Sequence, residues 1–466
     1  MTVLSFTKIN SRALLLAGMG MLFACHKKDE FLDQKPNTQL VLPNTLADFQ
    51  AMLDNDLVMR ETPVLGEVSA DNFYLLFSFW QGLDIKEQNA YIWAKDIYEG
   101  QGQVGDWDYP YQQVFYANVV LKGLPGVAVD STNRQQWNAM KGAALFIRAY
   151  AFYNLAQIFA PLYDYATAST DMGIPLRLDP DVNVASTRAS VQQTYTQILS
   201  DLVGADTLLP VAIPVNNLNR PSKPAALAML ARVYLSMRNY PLAGAYADSC
   251  LQLYSTLIDY NTLDTTSYLP FPVSNAETMY QSRLLSSTSV LAGIEYPGCI
   301  VDSGLYRSYA AHDLRRPIFY ISSSTAPNLK GSYNGSVFCF SGLATDEVYL
   351  IRAEAAARAG DMNDALQDLN ALLQKRWSNK VPFPAITASS PQEALDSILV
   401  ERRKELAFRG LRWTDLRRLN KEGAGIVLTR LLSGQMDTLQ SNSQLYVLPI
   451  PPDVLSLSGI PQNPGR

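Results

Sequence analysis

Apolar residues recur at helical spacing over eight stretches, 139–160, 190–205, 224–239, 241–254, 345–360, 362–376, 391–409 and 412–420. Each predicts an α-helix. KGAALFIRAYAFYNLAQIFA (141–160) is apolar on nearly every side, the pattern of a helix buried all round. PAALAMLARVYLSMRNYPLAGAYADSCL (224–251) and EVYLIRAEAAARAGDMNDALQDLNALL (347–373) share one plan of helix, tight polar turn and helix. Ala231 and Ala243 stand twelve residues apart, as do Ala353 and Ala365. Arg238-Asn239-Tyr240 falls at the register of Gly360-Asp361-Met362. Small residues at those points let two helices approach closely, the geometry of tetratricopeptide-like units. Such pairs need neighbours to cover their apolar faces, and the helices expected over 139–160, 190–205 and 391–420 supply them.

Segments 60–115 and 255–344 break this pattern. They are rich in Gly, Ser, Asn, Pro and aromatic residues, which predicts long loops with short helices and some strand. Binding residues concentrate on loops carried by a rigid frame. No Gly/Ser-rich linker divides the chain after its first forty residues. Residues 39–466 are therefore expected to form one mainly α domain, a helical repeat scaffold with loop-rich insertions at about 60–115 and 255–344.

The N-terminus has a different character. Lys8 and Arg12 precede ALLLAGMGMLFA (13–24), too short for a membrane-spanning helix, which takes about 20 apolar residues, but suited to a secretory signal. The stretch ends in LFAC, similar to the bacterial lipoprotein box in which the cysteine, here Cys25, is acylated and becomes the mature N-terminus. An ordinary signal peptide followed by a chance cysteine is the alternative. Residues 1–24 are thus expected to be a signal peptide and 25–38 a lipidated tether. Acyl chains, at about 0.8 kcal/mol per buried CH2, would anchor the protein stably. Cys250, Cys299 and Cys339 match no metal spacing and are expected as small core residues, with pairing of Cys299 and Cys339 left open.

Net charge changes the picture by exclusion. At -5 the chain lacks the basic surplus of a nucleic-acid binder. Catalytic raw material is also scarce. With His26 and His312 as the two histidines, triads and His-based metal sites are unsupported, and no HExxH, P-loop or GxSxG is present. DPDVNV (179–184) begins like a calcium loop but has Val184 at position six and Ser190 at position twelve. No metal and no cofactor are expected. Charge concentrates in ERRKELAFRGLRWTDLRRL (401–419), with seven basic and three acidic residues. A glycosidase needs two carboxylates about 5–10 Å apart across a bond. Glu401 and Glu405 instead share one helix face, with Arg409 one turn beyond Glu405, which favours structural ion pairs.

Aromatic residues give the strongest binding signal. Thirteen fall between Asp71 and Tyr116, among them Tyr74, Trp80, Trp93 and Trp107. Rings beside amides and carboxylates suit a sugar, whose apolar face stacks while its hydroxyls hydrogen-bond. YPYQQVFYANVVL (109–121) reads as core. SADNFYLLFSFWQG (69–82) reads either as core or as a recognition surface, with Trp80, Tyr74, Asp71, Asn72 and Trp93 as candidate ligand residues. Tyr296 and Tyr306 are further candidates in the second loop region.

These residues together resemble the SusD/RagB family of outer-membrane nutrient-binding lipoproteins of Bacteroidetes. ERRKELAFRGLRWTDLRRL is similar to its C-terminal motif, and LPIPPDVLSLSGIPQNPGR to its closing Pro-Ile-Pro and Gln-Asn-Pro-Gly signature. FIRAYAFYNLAQIFA, MGIPL (172–176), NRPSKPAALAMLARVYL and FLDQKP follow in family order, and KKDE (27–30) resembles the acidic surface-export signal. The resemblance implies a tetratricopeptide-like scaffold in which the arginine-rich motif is structural. It implies a non-catalytic, lipid-anchored, cell-surface protein that caps a TonB-dependent, SusC-like transporter and delivers oligosaccharides, or in some members peptides, to it. A surface glycoside hydrolase and a pure scaffold closing the transporter are the other readings.

Overall fold

The computed structural model describes residues 43–292, 298–322 and 326–466. The signal segment, Cys25 with its tether, and Tyr296 lie outside the described residues. Thr45–Arg466 form one compact unit.

The frame is a run of helices: α1 (Gly105–Gly123), α2 (Arg134–Phe159), α3 (Val191–Leu208), α4 (Lys223–Ser236), α5 (Tyr240–Leu253), α6 (Thr345–Ala359), α7 (Met362–Gln374), α8 (Pro391–Glu405) and α9 (Arg412–Lys421). Each of α1 to α5 packs on its successor, α5 packs on α6, and α6 packs on both α7 and α8. The two sequence repeats, α4–α5 and α6–α7, are therefore spatial neighbours although segment 254–344 separates them. Ala231, Ala243, Ala353 and Ala365 are fully buried. A Cβ added at Gly244 would lie 2.8 Å from that of Ala355, so the repeats meet where side chains are smallest.

The matching turns are built alike. Arg238 (φ 61°) and Gly360 (φ 89°) both adopt the left-handed conformation. The next residue caps the second helix, Asn239 accepting from the Leu242 amide and Asp361 from the Asp364 amide. The helix expected over 391–409 stops at Glu405, because Phe408 (φ 60°) and Gly410 (φ 72°) turn the chain before α9 begins. The first loop region also ends sooner than expected, since α1 starts at Gly105.

The two loop regions zip together. Glu61–Thr62 pairs in parallel with Arg283–Leu284, and β1 (Phe73–Leu75) pairs antiparallel with β2 (Cys299–Val301). β3 (Tyr320–Ser322) pairs with β4 (Pro327–Leu329), and β4 packs beside β2. Cys250, Cys299 and Cys339 are free thiols. The C-terminal Gln-Asn-Pro-Gly segment closes the end of α2, where Asn463 donates to the carbonyls of Phe159 (3.0 Å) and Leu448 (2.7 Å). Arg417 donates to the Gln157 and Ala160 carbonyls beside it. Carbonyls left over at a buried helix end need such donors.

The arginine-rich segment fastens these layers through buried ion pairs. Glu405 accepts from Arg376 (2.8 Å) and Arg315 (3.0 Å), and Arg315 also reaches Glu401 (2.5 Å) and Asp313. Arg376 continues to Glu277 (2.9 Å). Arg418 holds Glu354 through two bonds (2.5 and 2.8 Å), and Arg402 holds Asp415 (2.9 Å). Arg412 grips both oxygens of Asp71 (2.6 and 2.9 Å), while Arg403 reaches Asp71 and Asp302, one from each loop region. Arg409 does not pair with Glu405 as helical spacing suggests. The turn at Phe408 aims it at Asp346 instead.

Breaking such a pair from one side leaves a buried charge uncompensated, at about 3–5 kcal/mol. Glu405→Ala is expected to destabilise by that order, read as a lower midpoint in urea, because its side chain is fully buried between Arg315 and Arg376. An unchanged midpoint would mean the network is not coupled to stability.

The pH dependence has two limbs. Burial pushes Asp415 up, but Arg402 and Arg418 outweigh it and bring the carboxyl down from 3.8 to about 2. Burial likewise opposes Arg412 at Asp71, and Arg412 prevails, again to about 2. For these groups the unfolded chain binds more protons between about pH 4 and 2, so stability is lost as pH falls through that window. Glu67 and Asp106 behave oppositely. Burial raises Glu67 from 4.5 to about 7 and Asp106 from 3.8 to about 6, with hydrogen bonds from Asn72 and Gly410, and from Leu65 and Val64, offsetting only part. There the native state binds more protons, so stability falls as pH rises from about 4 to 7. The melting temperature should peak near pH 4–5, and thermal melts across pH 2–8 should show it; a maximum at neutral pH would contradict the assignment.

Candidate ligand-binding site

The stretch 69–82 divides by face. β1 alternates, with Phe73 and Leu75 inward and Tyr74 outward, as a strand's two-residue period requires. Phe73 stacks on Tyr91 (centroids 6.0 Å apart) and Phe408 (6.2 Å), and the Leu75 amide donates to the Tyr91 hydroxyl (2.9 Å). One helical turn, Phe77–Trp80, follows. Phe79 turns inward over Gly298, where an added Cβ would meet its ring at 2.2 Å. Tyr74, Leu76 and Phe77 are left 40%, 46% and 38% exposed. Trp80 is half-buried, stacks on Phe77 (5.8 Å, 20°) and donates from Nε1 to the Gln88 carbonyl (3.0 Å). The result is an exposed aromatic edge whose base is anchored on both sides.

Other candidates sit elsewhere. Asn72 is fully buried and its amide donates to Glu67 (2.7 Å). Trp93 is buried, donates to the Ser69 carbonyl (3.0 Å) and lies under the Arg430 guanidinium. Asp71 is engaged by Arg412 and Arg403. Asn72 and Trp93 therefore belong to the core, and Asp71 to the ion network, rather than to a ligand face. Tyr91, Tyr98 and Trp107 are also core. Within 109–121, the expected core, Phe115 is 39% exposed.

Tyr306 is half-buried in the second loop region and edges onto Tyr320 (5.7 Å). It lines a cavity of about 590 Å³ with Tyr268, Tyr320, Arg316 and Lys330. A second hollow, about 440 Å³, lies between α1 and the 175–186 loop and is lined by Trp107, Tyr111, Phe115 and Val182. Sequence reasoning missed both hollows, since each joins residues far apart in the chain. β1 pairs with β2, and β4 packs beside β2 and pairs with β3, whose Tyr320 lines the Tyr306 cavity. Glu401 and Glu405 face arginines, not solvent.

Comparison with known proteins follows the same lines. Residues 30–235 match a family model described as starch-binding associating with outer membrane, and residues 345–465 match the SusD family. SusD-like protein P2 of Formosa agariphila is 24% identical over 421 residues, covering 77% of this chain and 80% of that protein. A SusD superfamily protein from Bacteroides thetaiotaomicron superposes with a TM-score of 0.73 at 21% identity, over 90% of this chain and 100% of that one. A laminarin binding SusD-like protein superposes with a TM-score of 0.64 at 19% identity, over 90% and 99% of the two chains. Repeat scaffold, arginine-rich motif and both family matches agree, and this chain belongs to the SusD/RagB family.

Proposed function

We propose that this protein is a non-catalytic, lipid-anchored outer-membrane protein that captures a nutrient glycan and passes it to a TonB-dependent transporter. The observation that carries the reading is the edge formed by Tyr74, Leu76 and Phe77 above Trp80. Exposed rings on an anchored turn offer a sugar an apolar stacking platform without ordering cost at the moment of binding. The starch-binding description of the matched family model and the laminarin binding neighbour point to the same ligand class. Engagement of Glu401 and Glu405 by arginines removes the carboxylate pair that a glycosidase reading would use. A glycan array run beside a peptide panel tests the ligand class. Capture of peptides with no glycan bound would overturn it.

Phe77→Ala is expected to weaken glycan binding about tenfold, since an aromatic contact contributes on the order of 1 kcal/mol beyond its area and 1.4 kcal/mol is tenfold. Its melting temperature should stay near wild type because the ring is exposed. Trp80→Ala should lower both affinity and melting temperature, having lost the bond to Gln88. Calorimetry with an array-selected oligosaccharide, paired with thermal melts, separates the two. Equal affinity in wild type and Phe77→Ala would exclude this edge as the platform.

Anchoring is proposed to depend on Cys25. Cys25→Ala should fold normally yet leave the outer-membrane fraction. Retention of the variant there in cells lacking the partner transporter would rule out the lipid anchor.

A further inference from the structure

The cavity beneath Tyr306 is cationic in its lining. Among the described residues two cations line it, Arg316 and Lys330, and no carboxylate does. Many buried arginines of the fold meet acids. Arg315, one residue away, contacts Asp313, Glu401 and Glu405. The Arg316 side chain forms no ion pair and donates no hydrogen bond among the described residues, while its backbone amide donates to the Asp313 carbonyl (3.2 Å). Its guanidinium lies 4.5 Å from the centre of the Tyr306 ring, a cation–π contact that orients the group while leaving its N–H donors available.

Lys330 is held in place differently. Its ammonium donates to the carbonyls of Thr265 (2.6 Å) and Pro317 (2.7 Å), which bracket the cavity. Burial pulls it below its ordinary value, with Asp264 opposing. Acids close in sequence are already engaged: Asp264 by Thr266 (2.8 Å), Asp302 by Arg403 and Asp313 by Arg315. A positioned guanidinium and a partly desolvated ammonium, the latter facing Asp264 alone among the nearby acids, suit an anionic oxygen group. Tyr306, Thr266 and Tyr320 line the cavity beside it.

Taking the glycan reading above as given, we propose that this cavity is a subsite for an anionic substituent, a uronate carboxylate or a sulfate ester, on the captured glycan. The test uses full-length protein in detergent and three probes: neutral laminari-oligosaccharide, oligogalacturonate and a sulfated galacto-oligosaccharide. At least one anionic probe should bind tighter than the neutral one, and its affinity should fall as salt is raised. Arg316→Gln should weaken that probe about tenfold or more and leave the neutral one unchanged. The probe that responds identifies the substituent. Anionic probes binding no tighter than the neutral one, or an Arg316→Gln protein that binds them as wild type does, would overturn the subsite while glycan capture stands. Failure of every oligosaccharide to bind would overturn both. Lys330→Met serves as a second variant, with a thermal melt to confirm that the 265–317 bridge tolerates the change.

Discussion

A buried charge must have a partner, and much of this fold follows from that constraint. Arg315, Arg376 and Arg418 have side chains essentially sealed from water, where an uncompensated ion would cost several kcal/mol. Their carboxylates come from different layers. Glu277 and Asp313 come from the second loop region, Glu401 and Glu405 from α8, and Glu354 from α6. Asp71 and Asp302 tie the two loop regions to one guanidinium, that of Arg403. Neither the loops nor the last helices can complete their electrostatics alone, so the binding surface is set by the scaffold and not merely draped over it.

This explains why the arginine-rich segment reads so strongly in the sequence while contacting no ligand face. A hydrophobic replacement of equal volume would often match a buried ion pair in stability. What bidentate contacts add is direction, because a planar guanidinium accepts its partners only in fixed positions. Arg412 on Asp71 and Arg418 on Glu354 are of this kind. The first fixes where the segment before β1 leaves the core, and hence where Tyr74 and Phe77 emerge; the second fixes α9 on α6.

The repeats were legible because helix pairing is local. Twelve-residue spacing of alanines and a shared turn register carry the information within thirty residues. The ion network was legible as a class but not in its pairs. Glu405 and Arg409 stand four apart, yet the left-handed turn at Phe408 separates them, and the true partners lie 29 and 90 residues away. Aromatic density marked a neighbourhood but did not sort its exposed face from its core. Burial of Asn72 and Trp93 arises from contacts with Glu67, Ser69 and Arg430, none of which spacing announces. The alternation Phe73-Tyr74-Leu75 was the one local signal that could have sorted inward rings from outward. Arg316 gave no signal at all, since its distinction is the absence of an acid nearby.

Exposing Tyr74, Leu76 and Phe77 contributes nothing to folding, because apolar burial stabilises by about 25 cal/mol per Å² and these side chains forgo much of it. The segment must be held by other contacts. Phe73 and Leu75 bury the opposite side of β1, the ladder to β2 satisfies its backbone, and the missing side chain of Gly298 admits Phe79. The Trp80 indole closes the turn onto Gln88. A loop so fixed would lose little freedom if a ligand stacked on it. The same division recurs at Tyr306, where one ring edge packs on Tyr320 while its face carries Arg316. At β1 the anchored turn leaves Tyr74 and Phe77 exposed, whereas at Tyr306 the anchored ring holds a guanidinium in place.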